Sequence, residues 1–384
     1  MKKAILLLTS VIVVLALFVG CSDANTGNTI KIGVNYELSG EVSSYGRDSV
    51  EGIELAVEEI NAAGGIDGKK IDIVKYDNKS EPAEAVTLAS RLMTSDKVVA
   101  ILGPATSGAF KATIPTALQN KIPVASGSTT ADDITVDENG VKEYAFRICF
   151  SDAYQGTGMA NYALDRLSAK KAVIIMDNSS DYGKGLAEAF VNTFEEGGGA
   201  IVAQEAYVAK DTNFNSIITK IKGDEFDVIF IPGYYQEAGL IIKQAREQGI
   251  AVPILGADGF DSPDLAKLAG DDALNNVYYS NHFSSLDEDP VVQNFLTGFE
   301  EKYNKQPGAF HALGYDLAKY VVDSIDRAEK LDGESVKDAM AATSDFKGVT
   351  GTFTIDENHN PIKDLIVIEL ADGKQYSSER LSAE

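Results

Sequence analysis

Cysteine is nearly absent. The chain of 384 residues has two, Cys21 and Cys149. One pair at most cannot form a disulfide framework, so the fold must rest on its core. Histidine is almost as rare. His282, His311 and His359 are scattered through the sequence and show no metal-ligand spacing. Positive charge is also short, with 34 Lys and Arg against 58 Asp and Glu, a net −24. No basic patch can dominate such a surface, which argues against a nucleic-acid partner. The excess of acid favours solubility and says little about fold. Enzyme signatures are missing as well. No GxGxxG follows a strand-like run, no GxxxxGK[ST] occurs, and no GxSxG elbow is present. The nearest match, Gly183-Lys184-Gly185, lacks its third glycine. No cofactor or metal is therefore expected, and an enzyme is the disfavoured alternative.

What is present begins with an apolar run. Lys2 and Lys3 precede residues 4–19, which are almost purely apolar, and Gly20-Cys21 follows. A short basic region before an apolar stretch of this length reads as a signal segment, residues 1–20. A small residue followed by cysteine resembles a bacterial lipoprotein processing site. Cys21 would then carry lipid, and residues 21–29 would form a polar, flexible tether. With Cys21 committed to lipid, Cys149 has no disulfide partner.

Beyond the tether, strand and helix patterns alternate. Strand-like runs fall at 30–36, 71–76, 98–102 and 122–125. Helical stripes fall between them, at 49–63 and 81–95. Gly64-Gly65 ends the first helix, and Pro82 fits the first turn of the second. The pattern restarts at 172–176. Strands are expected at 200–207, 228–231 and 253–255, and helices at 183–196, 214–221 and 237–248. The tail adds a strand at 277–279, helices at 291–303, 310–330 and 334–341, and strands at 351–355 and 365–370. This is an α/β pattern of two doubly wound, mostly parallel-sheet domains. A faint echo supports the pairing: Ser43-Ser44-Tyr45-Gly46 and Ser179-Ser180-Asp181-Tyr182-Gly183 each follow the first strand of a set. The expected lobes are 30–146 plus 281–347, and 147–280 plus 348–384. Three crossings between them would make a hinge able to open and close a cleft.

Ligands of open parallel sheets lie beyond the carboxyl ends of the strands. The loops expected there are rich in Ser, Thr, Tyr and Gly. The stretch ILGPATSGAF, residues 101–110, breaks an apolar run at Gly103-Pro104 and opens a helix with Thr106 and Ser107. Unpaired N–H groups and hydroxyls at a helix start can hold an anion without formal charge. Ser107 also suits a plain N-cap. Arg47 and Lys184 lie two residues beyond Tyr45 and Tyr182. Turned inward, either would favour an acidic ligand side chain; otherwise they are solvated first-turn residues.

Several short motifs, in order, carry a resemblance. They are Ser39-Gly40 with Tyr45-Gly46, the run 58–66 reading EEINAAGGI, and Gly103-Pro104-Ala105-Thr106-Ser107. Asp181-Tyr182-Gly183, Pro232-Gly233-Tyr234-Tyr235, Gly256-Ala257-Asp258-Gly259, Gly308-Ala309-Phe310 and Gly314-Tyr315-Asp316 continue it. Over residues 30–370 the chain resembles the branched-chain amino acid-binding proteins of ABC importers, with a type I periplasmic binding fold. A lipid on Cys21 resembles the Gram-positive form, tethered to the outer face of the cell membrane. The resemblance implies an extracytoplasmic receptor, a monomer, that delivers Leu, Ile or Val to permease subunits in the membrane.

By the same resemblance, Ser107 and Thr130 would offer hydroxyls and N–H groups to the ligand carboxylate. The Ser128 carbonyl and the Asp258 carboxylate would take the ammonium, though several relatives carry Glu at the latter position. Tyr45, Tyr182, Tyr234 and Phe310 would line the aliphatic pocket, with Tyr235 competing with Tyr234. Relatives of this fold also bind other amino acids, urea or amides, and aromatic acids. Some join the loops near Lys79 and Thr106 by a disulfide. Neither position is cysteine here, so the binding loop is expected to be held by packing alone.

Overall fold

The computed structural model describes residues 29–382. The expected signal segment, Cys21 and most of the tether lie outside the described residues. The first lobe starts with β1 (Thr29–Tyr36), α1 (Ser43–Ala62), β2 (Lys70–Asp77) and α2 (Pro82–Arg91). It continues with β3 (Ile101–Leu102), α3 (Ser107–Asn120), β4 (Val124–Ser126), a small hairpin of β5 (Val136–Asp137) and β6 (Gly140–Val141), and β7 (Ala145–Arg147). The sheet runs β2-β1-β3-β4-β7, all parallel.

Crossing after β7 leads to α4 (Asp152–Asp165), then β8 (Lys171–Asp177), α5 (Asp181–Glu196), β9 (Ala200–Tyr207), α6 (Asn215–Ile221) and β10 (Val228–Phe230). α7 (Tyr235–Glu247), β11 (Ile254–Gly256), α8 (Pro263–Ala269) and β12 (Val277–Asn281) complete this pass. β9-β8-β10-β11-β12 are parallel and repeat the strand order of the first sheet, so both lobes present switch-point crevices at their carboxyl ends. The chain then returns to the first lobe through α9 (Pro290–Tyr303), α10 (Ala309–Arg327) and α11 (Gly333–Ala341).

The structure departs from the sequence expectation at the third crossing. A small antiparallel sheet, β13 (Phe346–Gly348), β14 (Gly351–Ile355) and β15 (Pro361–Ile362), stays with the first lobe. Phe346 and Phe353 pack on Tyr320 of α10, and His359 stacks on Phe146 of β7 at 4.1 Å. The chain therefore crosses beyond Ile362, not at 348. It ends as β16 (Leu365–Ala371) and β17 (Lys374–Leu381), which pair antiparallel beside β12. β7, α4 and β17 were not anticipated. β7 has three residues, and β17 alternates exposed and half-buried positions at the sheet edge, so neither carries a strong apolar signal.

Of the stripe expected on α1, Val50, Ile53 and Val57 are buried and Ile60 is half-buried against the same core. The helix begins six residues earlier than its apolar period suggests, at Ser43, which moves Tyr45 from a loop into the first turn. α1 packs along α10 at close range. A Cβ on Gly52 would lie 1.9 Å from the His311 carbonyl oxygen, and one on Gly314 would lie 2.0 Å from that of Ser49. Only glycine lets these two backbones touch. The contact sets the position of Phe310, one turn before Gly314.

Candidate functional site

Between the carboxyl ends of the two sheets lies a small cavity. It is lined by Tyr45, Ser107, Ser128, Thr130, Tyr182, Tyr234, Asp258 and Phe310, together with Ala105, Thr106 and Gly259. All eight residues singled out from the sequence thus meet in one space. Tyr235 does not line it. Its hydroxyl instead reaches the Glu41 carbonyl oxygen on the opposite lobe, 3.4 Å away.

The first-lobe wall is built on the α3 start. Thr106 holds the N-cap position without a side-chain cap bond, and Ser107 is the first helical residue. Ser107 is therefore not the cap. Its Oγ accepts from the Ala131 N–H at 3.1 Å, which leaves the hydroxyl proton to donate elsewhere. The Ser128 hydroxyl is committed to the Ala105 carbonyl oxygen at 2.9 Å. The Thr130 carbonyl accepts from Asp152 N at 2.7 Å and Arg147 at 3.0 Å.

Packing alone does not hold this loop. Glu37, fully buried just past β1, accepts from Ala105 N at 2.9 Å, from Thr106 N at 3.2 Å and from the Thr106 hydroxyl at 2.9 Å. One carboxylate staples the loop through charge-assisted bonds. Burial pushes its pKa above the usual carboxylate range, while the three donors pull the other way. Two of the N–H groups read as open to a ligand are thus already taken. Those of the first α3 turn, from Ser107 on, lack intrahelical partners. A lone acid immediately after an apolar strand was the only signal for Glu37.

The second-lobe wall centres on Asp258, 3% exposed. Tyr182 donates its hydroxyl to Oδ1 at 2.8 Å, and His282 Nε2 lies 3.3 Å from Oδ2. Gln155 Oε1 accepts from Asp258 N at 3.2 Å and from the Ser280 hydroxyl at 2.8 Å, tying this loop to α4 and β12. Burial holds the His282 imidazole down at about 4, with Asp258 opposing, so the ring is neutral near pH 7 and serves Asp258 as a donor. Asp152, at the start of α4, is also fully buried, and neither carboxylate oxygen has a hydrogen-bond partner among the described protein atoms. Burial first, then the Asp258 charge, push it well above the carboxylate range. His282, Gln155, Asp152 and Glu37 escape sequence reasoning because tertiary folding alone brings them to the cleft.

The roof is aromatic. Tyr45 stacks on Phe310 at 4.3 Å, Tyr182 stacks on Tyr234 at 5.0 Å, and Tyr45 meets Tyr234 edge-on at 5.8 Å. Burial raises the pKa of Tyr45, Tyr182 and Tyr234 well above the usual tyrosine value, so all three hydroxyls stay protonated. The lobes are in contact at the cleft mouth. Tyr45 donates to the Gly259 carbonyl oxygen at 2.5 Å, and Lys111 bridges Asp133 and Asp181 at 2.9 and 2.7 Å. Arg47 and Lys184 are exposed and do not line the cavity. The arrangement offers neutral donors on one side, one ionisable acceptor on the other, and ring faces between them.

Residues 29–375 match the family described as Periplasmic binding protein. Among solved structures, the branched-chain amino acid transporter substrate binding protein LivJ of Streptococcus pneumoniae, in complex with isoleucine, is 42% identical with a TM-score of 0.88. That similarity covers 92% of this chain and 99% of the other. The leucine binding protein LivK of Thermotoga maritima is 33% identical, with a TM-score of 0.84, 92% of this chain and 98% of that chain covered. An amino acid binding protein of Pseudomonas aeruginosa is 31% identical over 90% of this chain and 91% of its own.

Proposed function

Because the chain belongs to the periplasmic binding protein family, we propose that it is an extracytoplasmic receptor for a branched-chain aliphatic amino acid, which it hands to the permease of an ABC importer. One observation carries this reading. The cavity sets Ser107 and Thr130 of one lobe opposite Asp258 of the other, with aromatic faces between. An α-amino acid brings one anion and one cation into a dry space, and leaving either unpaired costs several kcal/mol. The Ser107 hydroxyl, the Thr130 hydroxyl and the first α3 N–H groups match the carboxylate. Asp258, oriented by Tyr182 and His282, matches the ammonium, assisted by the Ser128 carbonyl. Tyr45, Tyr182, Tyr234 and Phe310 enclose the side chain, and an acidic side chain would meet no cation among the cavity-lining residues. An aromatic acid without an amine would leave Asp258 buried and unpaired.

Each lobe holds only half of these partners, so the ligand binds the closed form better and drives closure. No helix among the described residues is long and apolar enough to cross a membrane. Cys21, outside them, is the proposed lipid attachment point, and Cys21→Ala should move the protein out of the membrane fraction.

The direct test is a thermal-shift and calorimetric screen of the twenty amino acids, urea, amides and aromatic acids. Leu, Ile and Val should give the largest shifts. Asp258→Ala should lower their affinity at least about 100-fold, the cost of stranding the ammonium. Shifts confined to non-aliphatic ligands, or full affinity in Asp258→Ala, would sink this assignment.

A further inference from the structure

Asp258 is not the only carboxylate on its loop. Three residues on, Asp261 meets the opposite lobe. Its Oδ1 accepts from the Ala309 N–H at 3.1 Å, and its Oδ2 accepts from Asn281 Nδ2 at 2.6 Å. Ala309 is the first residue of α10, and the N-cap position before it is Gly308. A helix opened by glycine has no side-chain oxygen of its own for its first N–H groups. Asp261 supplies one from the other lobe, where the positive end of the helix also favours its charge. The next helical residue is Phe310, the ring stacked on Tyr45 in the cavity.

The neighbours of Asp261 cross the cleft too. Gly259 gives its carbonyl to Tyr45, and the Ser262 and Ser44 hydroxyls lie 2.8 Å apart. Gly308 completes the fit. A Cβ there would lie 2.5 Å from Asp261 Oδ1, although the backbone at φ −101° accepts any residue. The absence of a side chain at 308 therefore serves the approach of Asp261 rather than the turn itself.

We infer that Asp261 is a positioning residue for ligand retention: from the second lobe it caps α10 of the first, fixes Phe310 against Tyr45 and holds the cleft shut without touching the ligand. This rests on the reading that the cleft closes on an amino acid. The segment 258–262 then joins two tasks, Asp258 meeting the ammonium while Gly259, Asp261 and Ser262 meet the other lobe.

Stopped-flow dissociation of isoleucine tests it, using wild type, Asp261→Ala, Asp261→Asn, Gly308→Ala and the double variant Asp261→Ala/Gly308→Ala. Dissociation should quicken about 10- to 100-fold in Asp261→Ala, the loss of one charge-assisted bond. Gly308→Ala should behave similarly from the opposite lobe, and Asp261→Asn, which keeps an acceptor oxygen, should fall between. The double variant should be no faster than the worse single, since both remove one contact. Association rates should stay near wild type, and ligand-bound melting temperatures should fall more than ligand-free ones, which in the Asp261 variants lose only the Asn281 bond within the second lobe. Unchanged dissociation, multiplying effects in the double variant, or an equal fall in ligand-free and ligand-bound melting temperature would overturn the latch while leaving the receptor reading intact. If wild type binds none of isoleucine, leucine and valine, both fall together.

Discussion

His282 shows how a single residue ties the site to the solution. Its ring stacks on Phe150 at 3.7 Å and its Nε2 faces Asp258. Burial lowers its pKa to about 4, whereas an unfolded chain would protonate near 6.5. Between those values the unfolded state binds more protons, so this group makes the protein less stable as pH falls from about 6.5 toward 4. Melting curves of wild type and His282→Gln across that window should diverge: the variant, with no titrating ring, should lose less stability over it. Parallel curves would remove His282 from the acid response. Glu37 teaches a different lesson at the same scale. The missing cysteines pointed to a loop held by packing alone, yet three bonds to one buried carboxylate hold it.

Among the elements, the α1–α10 pair matters most to the cleft. α1 carries Tyr45 in its first turn and α10 carries Phe310 in its own, so their spacing sets the width of the aromatic roof. Gly52 and Gly314 permit the contact. Gly314→Ala should force the helices apart, destabilise the protein by about 1–3 kcal/mol as overpacking does, and weaken aliphatic ligands by shifting Phe310. A thermal melt and a titration check both effects, and a variant with wild-type melting would show that the helices have room to spare. The α3 start and the 258–262 loop are the complementary pair, one supplying donors and the other an acid. The second lobe repeats the strand-end device of the first: Asp77 accepts from Ser39 and Lys79, and Asp177 accepts from the Ser179 N–H.

For the whole molecule, two sheets with the same strand order face each other across a cleft, and three crossings connect them. The contacts Tyr45–Gly259, Ser44–Ser262 and Lys111–Asp181 all span the lobes, so the conformation is a closed one. Small-angle scattering should give a smaller radius of gyration for protein saturated with isoleucine than for verified ligand-free protein. An unchanged radius would mean that the ligand enters a cleft already shut.

The alternation of strands and helices, the two-lobe division and seven of the eight singled-out cavity-lining residues were legible on strand-end loops of the sequence, while Phe310 came from the family resemblance alone. Apolar periodicity and turn chemistry are local, and the functional loops sit at strand ends that periodicity marks. The third crossing was not legible, because β13–β15 choose their lobe through Tyr320 and Phe146, residues far away in the chain. The staple from Glu37, the donor His282, the orphan acid Asp152 and the cross-lobe cap from Asp261 were equally hidden. Each is an acid or imidazole whose meaning depends on what lies within about 3 Å, the reach of a hydrogen bond. Only closure of the tertiary fold brings those partners together.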